Sequence, residues 1–177
     1  MLTSRASSRS KPLLLVDVDG VISLFEFGLD NPPPGAFHTV DGIAHFISGT
    51  AGDHLLALRA DFELAWCSGW EEKANEYLPR LLGLPGPLPF LTFGDPEPPN
   101  GNGAGPVGHW KLDAIEAYAG PRPLAWVDDA LTDACRRWAA RRPAPTLLVA
   151  THPSTGLGRE HVLELTAWAR RLPESGR

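Results

Sequence analysis

The run Leu13-Leu14-Leu15-Val16, leading into Asp17-Val18-Asp19-Gly20, constrains this chain more than any other segment. Four consecutive apolar residues describe a strand covered on both faces, the pattern of a parallel strand between helical layers. Side chains alternate along a strand, so Asp17 and Asp19 would share a side if the strand ran on. Gly20 permits a sharp turn directly after them. Ligand sites of open α/β sheets lie outside the carboxyl ends of the strands. Two acids at such an edge repel each other unless something positive lies between them.

Further along, apolar strand-like runs alternate with helical patterns. Strands are predicted at 13–18, 62–67, 88–93, 124–127 and 146–149, with helices at 50–60, 68–82, 109–119, 130–142 and 159–172. Alternation of this kind predicts an α/β fold: three Rossmann-like layers around a parallel five-stranded sheet. Ser68 and Glu71 have the spacing of a capping box at the start of the second helix. Residues 21–47 carry Phe25, Phe27, Phe37 and Phe46 around Pro32-Pro33-Pro34-Gly35. That segment is too irregular for a helix and reads as a hairpin or flap beside the first strand. Residues 94–108, dense in Pro and Gly, read as a loop, and Gly101–Pro106 lacks the Lys-Ser/Thr continuation of a nucleotide-binding loop.

At 177 residues the chain is expected to form one domain, 12–172, between a disordered basic tail at 1–11 and a short tail at 173–177. A net charge of −5 gives no global attraction to nucleic acid or acidic membranes. Cys67 and Cys135 form neither a disulfide framework nor a metal-ligand spacing, and the six histidines contain no His-x-x-x-His pair. Both cysteines read as core residues, and their number fits a cytoplasmic protein. No apolar run approaches the ~18 residues of a membrane span. The apolar run behind the basic start is too short for a signal peptide.

Polar residues of particular types mark the other predicted strand ends. Ser68-Gly69 follows the second strand, and Asp128-Asp129 follows the fourth, with Asp133 one turn further on. Lys111 opens the helix before the fourth strand. Together with Asp17-Val18-Asp19-Gly20-Val21, this set resembles the motifs of the haloacid dehalogenase superfamily, in the same chain order and over roughly residues 12–150.

The resemblance implies a magnesium-dependent phosphohydrolase. Asp17 would be the nucleophile that becomes an aspartyl-phosphate, and Asp19 the general acid/base. Ser68, Gly69 and Lys111 would bind the phosphate. Asp17, the backbone carbonyl of Asp19, and Asp129 would hold Mg2+, with Asp128 or Asp133 assisting. Phosphoryl transfer calls for such a set, since it depends mainly on positioning and on neutralising charge at the phosphate oxygens. Neither place where the family carries a cap has room for a folded cap domain. An open site is therefore implied, with a phosphorylated substrate: a large one, nucleic-acid ends or phosphoproteins included, or a small phosphoester over which a partner subunit closes. The alternative is a catalytically silent module that keeps the fold and the metal.

Overall fold

The computed structural model describes residues 10–94 and 109–173. Most of the predicted basic tail, the Pro/Gly-rich loop and most of the C-terminal tail lie outside the described residues. The central sheet is built from β1 (Leu13–Val16), β5 (Glu63–Trp66), β6 (Leu124–Asp128) and β7 (Thr146–Ala150). Their order is β5-β1-β6-β7, and every pairing is parallel. β1 and β6 are buried along their whole length, which is why both read as continuous apolar runs.

Helices cover both faces of this sheet, and the strand alternation divides the core accordingly. Leu14, Val16, Leu64, Trp66, Ala125 and Val127 pack with α1 (Ala51–Leu58), α2 (Lys73–Leu81) and α5 (Arg159–Arg171). Leu13, Leu15, Ala65, Cys67, Leu124 and Trp126 pack instead with α3 (Leu112–Ala119) and α4 (Asp133–Arg141). The fold is α/β in three layers, and both cysteines are buried in it.

The parallel sheet has four strands among the described residues, where five were expected. The predicted strand at 88–93 is reduced to a single parallel bridge between Phe90 and Trp66. Two features of the segment account for this: Pro89 has no N–H to give, and the Asn75 side chain takes the Leu88 N–H and carbonyl at 3.0 and 2.7 Å, so only the Pro89 carbonyl and the Leu91 N–H reach Trp66, at 2.8 and 2.9 Å.

The capping box at Ser68 does not form either. Glu71 adopts a positive φ of 46°, and its carboxylate accepts the Phe93 N–H at 2.6 Å. The chain passes through a turn, and α2 starts only at Lys73.

The segment after β1 is a flap, as expected. β2 (Ser23–Leu24), β3 (Gly35–Val40) and β4 (Ile43–Ser48) form a separate antiparallel sheet in the order β2-β4-β3. β3 and β4 are joined through Asp41-Gly42, both at positive φ. Those are the backbone angles a tight two-residue hairpin requires, and Asp-Gly supplies them at low cost.

Candidate active site

Asp17 is the first residue beyond β1, and its N–H still donates to the Val127 carbonyl of β6 at 3.0 Å. Asp128 is the last residue of β6. Counting by twos, Asp17 continues the face of Leu13 and Leu15, and Asp128 that of Leu124 and Trp126. α3 packs on that face, and Lys111 immediately precedes α3. The ammonium therefore arrives where both carboxylates point. Its Nζ lies 2.8 Å from Asp17 Oδ2 and 2.7 Å from Asp128 Oδ2.

All three side chains are buried. Backbone N–H groups hold the other carboxylate oxygens. Val18 donates to Asp17 Oδ1 at 2.7 Å, and Ala130 donates to Asp128 Oδ1 at 2.8 Å. Burial lifts the Asp17 carboxyl above the ordinary carboxylate range, against the pull of Lys111 and with a further push from Asp128. Burial also works against the charge on Lys111, but Asp17 and Asp128 outweigh it and hold the ammonium above its usual range. Burial pushes the Cys67 thiol far up, so this cysteine is an inert core residue.

Asp129 completes the cluster. One oxygen from each of Asp17, Asp128 and Asp129 lies within 4.8 Å of the others. Burial, then the neighbouring Asp128, raises the Asp129 pKa. Its carboxyl sits against Gly20, where a Cβ would come within 2.3 Å of Asp129 Cγ. Gly20 also has φ +73°, so glycine is needed there for both space and backbone conformation.

One ammonium faces three carboxylates, which leaves negative charge in excess. An all-oxygen donor set with excess negative charge is what a hard divalent cation such as magnesium takes. The residues present therefore fit the metal that the sequence resemblance implies. Asp17 and Asp128 each engage Lys111 and a backbone N–H, so both anchor the ammonium, and Asp129 adds the third carboxylate beside them.

Two of the predicted site residues sit differently from expectation. The Asp19 side chain does not share the Asp17 position. The Val18 carbonyl accepts the N–H groups of Val21, Ile22 and Ser23, so the chain coils tightly and peels Asp19 off the strand line. The Asp19 carboxylate is half exposed, takes the Trp70 Nε1–H at 2.9 Å, and lies 3.9 Å from His45 Nδ1. It stands outside the three-carboxylate cluster, although its charge is felt at Asp129. Asp133 is not brought to the site at all. Its side chain is 87% exposed and lies 3.9 Å from Arg136 within α4. As the first residue of α4, it points at solvent.

Ser68 is buried at the end of β5. Cys67 donates its N–H to the Val16 carbonyl at 2.8 Å, so Ser68 leaves the sheet beside the Asp17–Val18 segment. Gly69 is exposed next to it. A Cβ on Gly69 would stand 3.7 Å from the indole of Trp110, so aromatic rings flank this turn on two sides.

Three residues escaped the sequence reading. Trp70 is a hydrogen-bond donor to Asp19. His45 lies edge-on to the Trp70 ring, 4.7 Å between centroids, and shares a 3.0 Å hydrogen bond with Ser23. No local signal marks Ser23 or His45. The tight turn after β1 brings Ser23 back beside Asp19, and the pairing of β2 with β4 brings His45 to both.

No family model matches this chain, and no curated protein matches it. Among solved structures it is similar to a hypothetical protein from Xanthomonas campestris. The two are 14% identical, with 96% of this chain and 93% of that one covered and a TM-score of 0.47.

Proposed function

We propose that the chain is a magnesium-dependent phosphohydrolase of the haloacid dehalogenase type, acting on phosphomonoesters through an aspartyl-phosphate. The observation that carries this reading is Lys111, buried between Asp17 and Asp128 with Asp129 beside them at the sheet edge. A buried lysine shared by two carboxylates is costly to assemble, and it suits a site that must accept a phosphate dianion next to a carboxylate nucleophile.

An Asp17 carboxylate oxygen attacks phosphorus, and the bond from phosphorus to the leaving oxygen breaks. Asp19 gives its proton to that oxygen as the alcohol departs. Water then attacks the phosphorus of the aspartyl-phosphate, Asp19 takes the water proton, and inorganic phosphate leaves with Asp17 restored. Lys111 neutralises the nucleophile and the incoming phosphate, and Ser68 donates to a phosphate oxygen. Asp17, the Asp19 backbone carbonyl and Asp129 would hold magnesium, which when bound supplies the remaining positive charge against the phosphate oxygens. Trp70 fixes the Asp19 carboxylate in place.

The test is hydrolysis of an aryl phosphate with magnesium and with chelator, beside Asp17→Asn. Turnover should require magnesium and fall by at least about a thousandfold in the variant, whose circular dichroism should match the wild type. Activity of Asp17→Asn within tenfold of the wild type would refute the assignment. Magnesium binding without any turnover would favour a silent binding module.

A further inference from the structure

A groove of about 440 Å³ runs along the flap, and Asp19 is part of its lining. Phe25, Phe27, Phe37 and Phe46 also line it. Phe46 is buried and anchors the set, with its ring 4.6 Å from Phe27 and 5.0 Å from Phe37 between centroids. Phe25 and Phe37 are exposed, 41% and 59%. The polar lining consists of Asp19, Ser23, His45 and Glu26.

We propose that this groove holds the alcohol portion of the substrate, and that this portion is a planar aromatic group, uncharged or cationic. The inference rests on the phosphohydrolase reading. In that reading Asp19 protonates the leaving oxygen, so whatever is attached to that oxygen must extend from Asp19, and the groove is what Asp19 borders.

Three further observations narrow the occupant. The volume falls within the range of small-molecule sites. Four phenylalanines offer faces and edges to a flat ring, the arrangement in which aromatic contacts add most beyond simple area burial. The Glu26 carboxylate in the lining repels an anionic leaving group, which disfavours esters carrying a second phosphate or a carboxylate.

The test compares magnesium-dependent kcat/KM for 2-naphthylmethyl phosphate and glycerol 2-phosphate. In parallel, free 2-naphthylmethanol is titrated calorimetrically into the full chain without metal. The naphthylmethyl ester should be preferred at least about tenfold, and the free alcohol should bind. Phe37→Ala should reduce both the preference and the alcohol affinity about fivefold, the usual size of one lost aromatic contact. Phe25→Ala serves as the second variant in case the first disturbs the hairpin.

Equal kcat/KM for the two esters, with no detectable alcohol binding, overturns the groove assignment and leaves the hydrolase reading standing. Alcohol binding without Asp17-dependent hydrolysis of any phosphomonoester overturns the hydrolase reading, and the leaving-group role with it. A sedimentation-defined dimer that Phe37→Asp dissociates assigns the groove to a second copy of the chain and overturns the proposal.

Discussion

At the carboxyl edge of the parallel sheet, Asp17, Lys111 and Asp128 are charged groups withdrawn from water. In the flap that follows β1, Phe25 and Phe37 are large apolar groups left in it. Each region places side chains where folding alone would not put them. The edge forfeits hydration of its charges, and the flap forfeits burial of its rings. The sheet edge is rigid, because backbone N–H groups from Val18 and Ala130 pin its carboxylates. The flap is a three-stranded sheet whose edge strand β3 is mostly exposed. Precise charge placement belongs on the first kind of scaffold and adaptable apolar recognition on the second. Asp19 lies where the two meet, reached by Trp70 from the sheet side and His45 from the flap.

The largest effect that would break this comparison is expected at Lys111. Lys111→Ala removes the one ammonium from between Asp17 and the fully buried Asp128. Removing one partner of a buried ion pair costs about 3–5 kcal/mol, because the other charge is left uncompensated. Urea denaturation in chelator should show that loss, and Asp128→Asn in the Lys111→Ala background should recover part of it. Phe37→Ala in the flap should stay within about 1 kcal/mol of wild type. A Lys111→Ala protein as stable as wild type would mean that the edge is held by packing rather than by charge.

A smaller effect is expected at Trp70, where sheet and flap meet. Trp70→Phe keeps a ring against His45 but removes the N–H that Asp19 accepts. Asp19 loses its fixed orientation, so kcat should fall about tenfold, within the contribution of a positioned acid/base. KM should hold, because Trp70 acts through Asp19 rather than on the phosphate. A rise in KM at constant kcat would instead make Trp70 a wall of the substrate site.

The sheet edge was largely legible in the sequence and the flap largely was not. Leu13–Val16 and Leu124–Val127 announce themselves because burial on both faces demands unbroken apolar runs, and the acids that end them stand out against that background. The parity that brings Lys111 to both carboxylates follows from strand alternation once α3 is placed. The strand expected at 88–93 is apolar enough, but Pro89 lacks an N–H and Asn75 takes both backbone groups of Leu88, which sequence pattern does not show. Asp133 opens α4 and faces solvent, so nearness in sequence to Asp128 and Asp129 does not bring it to their cluster. Asp41-Gly42 is itself a hairpin signal, since Asp-Gly is a favoured pair for the positive φ angles found there. The contact of His45 with Asp19 depends on cross-strand register in the flap, which local sequence there does not specify.

The smallest effect concerns Asp129, and its sign is informative. Burial and Asp128 raise the Asp129 carboxyl pKa above its unfolded value. Between about pH 4, where an unfolded aspartate titrates, and the raised folded value, the native chain holds more protons than the unfolded one. Stability from this group therefore falls as pH rises through that window and stays reduced above it. Asp129→Asn carries no such ionisation. In chelator at neutral pH the variant should melt slightly higher than wild type, by about 2 °C, and the gap should close on acidification below about pH 4. Magnesium should reverse the order, because only the wild type retains Asp129 as a ligand and a bound ion stabilises the state it binds. Scanning fluorimetry across pH, with and without magnesium, separates the two effects. A variant that melts lower than wild type in chelator would show that the Asp129 carboxylate stabilises the turn at Gly20. The excess negative charge at the sheet edge would then be relieved within the fold rather than held for a cation.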